Sequence, residues 1–478
     1  MGKKSLKLNA VLNVVKEAVN ILFPMITFRY VCDTLGTEGY GQYTYSAYIV
    51  SYITYIAAAG ILRYAVRECA GVRDNKIKVQ TLVNEIYTIN IFTTIIAFII
   101  LAILLIFWPK LYPLTIPILI LSLMVVFATI GCDWINSAYE DFAFIAIRHL
   151  ICQSLALVLV FVLVRSSDDV AGYAIASAFG VVVPNIINRI HIKKAYGITP
   201  RFSPSSGYRK HIKAIMLLFA STIGTYIYIN SDVTILGIFY DDDVVGIYGA
   251  SGRYYTLIKQ VINAAFVVLI PRIANQLAKD AHKSAESLKK VLDITILTVI
   301  PASVGLIMIR KNLILIFSGE QFARSQSSLL ILGLAIIPAL LANFYINIVM
   351  IPLKREKQVM IATLVSAGVN IILNLVLIPV YAENAAAATT LLSEFVMLGL
   401  GMYWTRDMRF KGIFKSVITS LIGGAGIVGV CLLINCCVTR PLWGVVLPVI
   451  FSGILYFAVI GVFYRKELSA FLKNKKLG

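Results

Sequence analysis

Charge is what this chain has least of. Only 14% of its 478 residues are charged, and just 24 are Asp or Glu, where a soluble globular domain carries roughly 25% charged residues. So little charge excludes an ordinary water-covered fold. Histidine is scarce, with 4 in the chain, and the 7 cysteines (32, 69, 132, 152, 431, 436 and 437) lie mostly inside apolar stretches. None of their spacings suits zinc or a redox pair, so no metal is expected and the cysteines read as small core residues. There is no G-x-x-x-x-G-K-[ST] stretch, so the chain does not hydrolyse ATP itself, and no cofactor is expected. No loop on the outer side is long enough for a folded domain, which argues against an enzyme that works outside the membrane. A cleavable signal is not expected either. Lys16 and Glu17 interrupt the first apolar stretch, and no small-residue cleavage site follows.

Apolar residues are plentiful, at 59%, in runs near the ~20 residues that a helix needs to cross a bilayer. A β-barrel would show only short alternating segments. The fold class expected is therefore an all-α integral membrane protein. The runs fall at about 9–32, 43–62, 83–107, 113–135, 143–164, 170–190, 212–238, 244–270, 291–316, 327–350, 359–379, 384–404, 413–435 and 442–464, fourteen in all. With a cytoplasmic N-terminus, the inner segments hold 32 Lys and Arg and the outer loops 6. That bias supports an even number of spans with both termini cytoplasmic, in the cell membrane. It also accounts for the net charge of +19 without a nucleic-acid partner; membrane lipids are the surroundings to expect. The inner loop at 195–211 is basic and rich in Pro, Ser and Gly, and reads as a linker. It separates a six-helix unit at 1–194 from a second at 212–411, and residues 412–478 add a helix pair and a basic tail.

The two halves share a pattern. Leu35-Gly36, Gly41-Gln42-Tyr43 and Arg67 are echoed by Leu236-Gly237, Gly246-Ile247-Tyr248 and Pro271-Arg272. The Gly-x-Tyr units lie 205 residues apart, and 24 residues separate Tyr from Arg in each copy. Six spans is an even number, so both copies enter the membrane in the same direction, as a parallel repeat does. Gly36, Gly41, Arg67, Gly246 and Arg272 are the structural residues of this motif.

These residues resemble the first hairpin of the Wzx-type polysaccharide repeat-unit flippases, within the multidrug, oligosaccharidyl-lipid and polysaccharide exporter superfamily. Asp133-Trp134, Glu140 and Ile145-Ala146-Ile147-Arg148 resemble that family's segment between spans four and five, and Gly246-x-Tyr248 to Pro271-Arg272 its eighth span. The resemblance implies two six-helix lobes in a V around a central cavity, plus a helix pair. It also implies a lipid-linked oligosaccharide as cargo, for capsule, O-antigen or exopolysaccharide synthesis. A polysaccharide polymerase and a chain-length regulator are the protein partners that go with such a role.

A charge inside a bilayer is costly and functional by default. Five basic residues fall within spans: Lys16, Arg29, Arg148, Arg253 and Lys259. By depth, Lys16 and Lys259 form an inner pair, and Arg29 and Arg253 an outer one. Together they could pass an anionic headgroup outward. Asn20, Tyr52, Tyr226 and Asn230 stand on polar seams with the spacing of a helix face, suited to sugar hydroxyls and rings. Asp232 and Glu394 are carboxylates within spans that could bind a coupling proton or sodium ion. Each has a plainer reading. Lys16 and Arg29 could snorkel to the two surfaces, Arg148 could bind headgroups or Glu140, and Arg253 and Lys259 could form a structural ion pair with Asp232. The Asn and Tyr seams could be helix-packing glue, and Asp241-Asp242-Asp243 could be a solvated loop. Two other functions stay open. One is export of another cargo on the same fold: a drug, a metabolite or a peptidoglycan lipid precursor. The other is a membrane polysaccharide polymerase or ligase. The basic excess within the spans favours an anionic cargo over organic cations.

Overall fold

The computed structural model describes residues 6–204, 206–267, 281–408, 410 and 412–465, with side chains from Thr27 onward except those of 206, 221, 222, 225, 264–267 and 281–285. Within these residues the chain is helical and has no strand. In hydrocarbon a backbone must satisfy its own polar groups, and a helix does so within one segment.

Within the described residues, each apolar run falls on a helical segment. The first two are the arms of α1 (Leu6–Ala58), which breaks at Gly36, where φ is 71°. A left-handed residue ends a helix at little cost only if it lacks a Cβ. There follow α2 (Ile61–Val72), α3 (Lys76–Phe107), α4 (Thr115–Gly131), the short α5 (Trp134–Ala138), α6 (Phe142–Leu163), α7 (Val170–Tyr196) and α8 (Arg209–Phe239). After these come α9 (Asp242–Val267), α10 (Ala281–Phe317), α11 (Ser325–Asn343), α12 (Glu356–Trp404), α13 (Phe414–Cys437) and α14 (Trp443–Phe463). A stretch with π-helical bonding, Phe344–Met350, continues α11. Like α1, α12 is two arms, broken at Ala382. Among the described residues nine helices are long and apolar enough to cross a membrane, two of these being the double-armed segments, and two more are shorter but apolar. Ile96, Ile99 and Ile103 of α3, Leu217 of α8 and Phe457 and Val462 of α14 are all exposed. Apolar faces on this scale require lipid, not water, as their solvent. The chain is a multi-pass membrane protein.

It divides into two compact units, Met1–Gly246 and Ile247–Gly478. In the first, α7 packs along α4 and α6, and α1 packs against α3, α4, α6 and α8. Polar side chains lock these helices where backbones come close. Asn90 donates to the Ala57 carbonyl at 2.9 Å and Asn188 to the Gly131 carbonyl at 2.6 Å. Cys69, Cys132, Trp134 and Ile135 form a buried cluster with Val83 and Ile86 where α2, α3 and α5 meet. In the second unit, α10 packs on α11 and α13, α11 on α12, and α13 on α14. Ile427, Cys431 and Tyr456 make a smaller core there. Five of the seven cysteines are buried, and Cys436 and Cys437 are exposed.

The repeated motif meets itself in the first unit. A Cβ on Gly41 would run into the Asp242 carbonyl, and one on Gly246 into the Thr37 carbonyl. Each would also stand 3.0 Å from the other glycine's amide nitrogen. Neither has a positive φ, so close backbone approach, not conformational freedom, is what demands glycine at both. The turns precede each Gly-x-Tyr by the same five residues, at Gly36 and Asp241. Leu236-Gly237 is therefore not the equivalent of Leu35-Gly36: Gly237 lies inside α8, where any Cβ would strike the Tyr45 ring.

Candidate functional site

The membrane-embedded charges separate by their partners. On α9, Lys259 donates to Glu394 Oε1 at 2.9 Å and to the Tyr255 hydroxyl at 3.0 Å. Tyr255 in turn donates to the same Oε1 at 3.1 Å, and the Lys259 ammonium lies 4.6 Å from the centroid of its ring. The i, i+4 spacing of Tyr255 and Lys259 puts them on one helix face, and Glu394 meets them from the second arm of α12. The Glu394 side chain is 8% exposed and that of Lys259 27%. One candidate cation and one candidate coupling carboxylate are thus a single ion pair, and the partner expected for Lys259, Asp232, gives way to Glu394.

Arg253 is different. It is half-buried, and among the described residues it has no hydrogen bond, ion pair or ring contact. Six residues separate it from Lys259, about 120° around a helix and roughly 9 Å along it. The two cations therefore face different ways. Arg29 pairs with Asp33 on the next turn at 2.5 Å, both side chains being well exposed. Lys16, Asn20 and Arg272 carry side chains outside the described residues.

The polar seams come together in the first unit. The Tyr52 hydroxyl bonds the Thr234 hydroxyl at 3.1 Å, and the Tyr55 ring stacks on Tyr226. Asn230 is buried and donates to the Tyr226 carbonyl at 3.0 Å. Asp232 is buried. These contacts unite α1 and α8, the paired faces that the sequence shows as separate stripes. Arg67 is exposed, bonded to its neighbour Glu68.

Arg148 departs from expectation. It bonds Asp133 at 2.9 Å and lies over the Phe144 ring, while Glu140 pairs with Arg73. A side chain 6% exposed cannot serve a headgroup, and the αL turn at Cys132 brings Asp133 to it. Asp242 is half-buried, not freely solvated. Burial pushes its carboxyl up, against the pull of Lys110 and with Glu38 and Asp241 adding to the rise.

Several charged sites had no signal in the sequence. The Tyr64 hydroxyl bonds His211 Nδ1 at 2.6 Å, and His211 Nε2 lies 2.9 Å from buried Glu85. Arg324 grips Glu383 through two bonds of 2.7 and 2.9 Å, and Glu383 is 1% exposed. Arg355 holds Asp407 and keeps that carboxyl below its usual range. All are ion pairs or relays between distant segments, which no local spacing reveals.

The family model for "Polysaccharide biosynthesis protein" matches residues 6–277. A protein named for O-antigen transport in Escherichia coli (strain K12) is 22% identical over 315 residues, spanning 66% of this chain and 75% of that protein. Its namesake in Shigella dysenteriae is 21% identical over 360 residues, 74% of this chain and 88% of that one. Among solved structures, the lipid II flippase MurJ in an inward closed conformation aligns with TM-score 0.75 and 16% identity, covering 96% of this chain and 99% of its own. An inward-facing multidrug resistance MATE family transporter of the MOP superfamily aligns with TM-score 0.64 and 14% identity, over 84% and 99%. At such identities these two structures establish the fold alone, the all-helical arrangement that they share with this chain. With more than half its length matched by the family model, the chain belongs to the polysaccharide biosynthesis protein family.

Proposed function

We propose that this protein is a flippase. Its cargo is a lipid-linked oligosaccharide, carried on a polyprenyl diphosphate, and it moves that cargo from the inner to the outer leaflet of the cytoplasmic membrane. Family membership and the relatives named for O-antigen transport support the role in surface polysaccharide synthesis. The observation that carries the cargo class is Arg253, a membrane-embedded guanidinium that no described protein group neutralises. A cation in a low-dielectric setting attracts an anion far more strongly than it would in water, and a guanidinium matches phosphate oxygens two at a time. Tyr52, Tyr226 and Asn230 supply rings and amides of the kind that hold sugars. The binding residues turn alternately to the two leaflets, the work is transport and not bond-making, and both termini are cytoplasmic. A polymerase and a chain-length regulator would act on the product.

The test uses cells whose surface polysaccharide depends on this chain. Arg253→Ala should abolish surface polysaccharide at unchanged membrane abundance, and Arg253→Lys should retain part of it, since an ammonium keeps the charge but not the fork. Normal polysaccharide with Arg253→Ala would refute the anionic-cargo reading.

A further inference from the structure

Resting on that reading, we infer that Glu394 is a resident counter-anion that competes with the cargo's phosphate headgroup for Lys259. The carboxylate holds the ammonium directly and through Tyr255. Both bonds fall on Oε1, and Oε2 has no partner among the described residues. An ammonium has three donors; two of Lys259's are used here, and its side chain keeps 27% of its surface open. It sits on a flexible four-carbon stem, so it can turn from Glu394 to an arriving anion while Tyr255 still bonds the carboxylate it leaves.

A carrier needs this kind of competition. Two desolvated cations with no counter-ion would hold a diphosphate too firmly to let it go. Glu394 makes the second contact conditional: Lys259 leaves its carboxylate to engage the headgroup and regains it as the cargo departs. Arg253, on another face of α9 and without an acidic partner among the described residues, makes the first contact. The two cations therefore act in sequence. Glu394 has a role the coupling-ion reading does not give it: it sets affinity, and does so without carrying an ion across.

The experiment measures binding to the purified full-length protein in nanodiscs. The probes are farnesyl diphosphate and, as a control for the tail, farnesol. Glu394→Gln keeps an acceptor for Tyr255 and removes the charge. It should bind the diphosphate roughly tenfold more tightly with farnesol unchanged. Lys259→Gln should weaken diphosphate binding, and in the double variant the gain from Glu394→Gln should vanish, which a general structural effect would not produce. Unchanged or weaker diphosphate binding by Glu394→Gln overturns the counter-anion role, even where Arg253→Ala abolishes binding and so upholds the anionic-cargo reading. A wild type that prefers farnesol over the diphosphate, or binds both equally, overturns that reading and the counter-anion role with it.

Discussion

Arg324 and Arg253 both belong to the second unit, and their partners distinguish them. Arg324 grips a carboxylate that is 1% exposed, beside Ala382, a non-glycine residue held at φ 48°. Such a backbone persists only where its surroundings fix it, and here the two-bond grip does so. Removing the guanidinium leaves a buried charge without compensation. Arg324→Ala is therefore expected to lower stability by about 2 kcal/mol or more. Thermal unfolding of the purified protein in detergent would show it; a melting temperature equal to wild type would mean the grip is incidental. Arg253→Ala, with no partner to orphan among the described residues, should leave the melting temperature where it is. At this scale the sequence was half informative. Hydropathy exposes Arg253, Lys259, Asp232 and Glu394 as charges within apolar runs, because each is expensive there. It does not pair them. Lys259 and Glu394 are 135 residues apart, and only the fold, which brings their side chains together from α9 and the second arm of α12, makes them one site. The relay of Glu85, His211 and Tyr64 is hidden for the same reason.

At the scale of elements, the repeated hairpin is the feature with the clearest sequence signature and the clearest packing cause. Gly41 and Gly246 stand at equivalent positions and press backbone on backbone. Gly41→Leu and Gly246→Leu must push main chain apart, since the obstructing atoms are carbonyls and no rotamer relieves them. Overpacking of well-filled sites costs about 1–3 kcal/mol, and backbone obstruction places these substitutions at the upper end. Reduced membrane abundance and a lower melting temperature are expected for both, whereas wild-type behaviour of either would mean the contact is dispensable. The Gly-x-Tyr spacing was legible because it recurs. The Leu-Gly pair was misleading, because the same dipeptide serves as a turn at Gly36 and as a seat for the Tyr45 ring at Gly237.

At the scale of the whole molecule, the all-helical membrane fold was plain from composition, since a chain this apolar has few alternatives. The positions of the helical segments followed from the apolar runs, while the fusions across Gly36 and Ala382 did not, because hydropathy is blind to continuous helical bonding through a kink. Orientation rests on the distribution of Lys and Arg, and two native residues test it. Cys436 and Cys437 are exposed and end α13 on the side expected to face outward; the five other cysteines are buried. A membrane-impermeant maleimide should label the wild-type protein on intact cells and fail to label a Cys436→Ser/Cys437→Ser variant. Labelling seen only after the cells are opened would invert the topology. The central claim is that the protein moves a diphosphate-linked sugar across the bilayer by way of Arg253. Its most direct test places purified wild type and Arg253→Ala, at matched density, in liposomes carrying a short polyprenyl-diphosphate-linked oligosaccharide, and follows arrival of the sugar at the opposite leaflet with an impermeant lectin. Wild type should move the sugar far faster than empty liposomes do, and Arg253→Ala should move it at least roughly tenfold more slowly than wild type, a loss of about 1.4 kcal/mol. Equal rates for wild type and variant, or a wild type no faster than liposomes without protein, would contradict the claim.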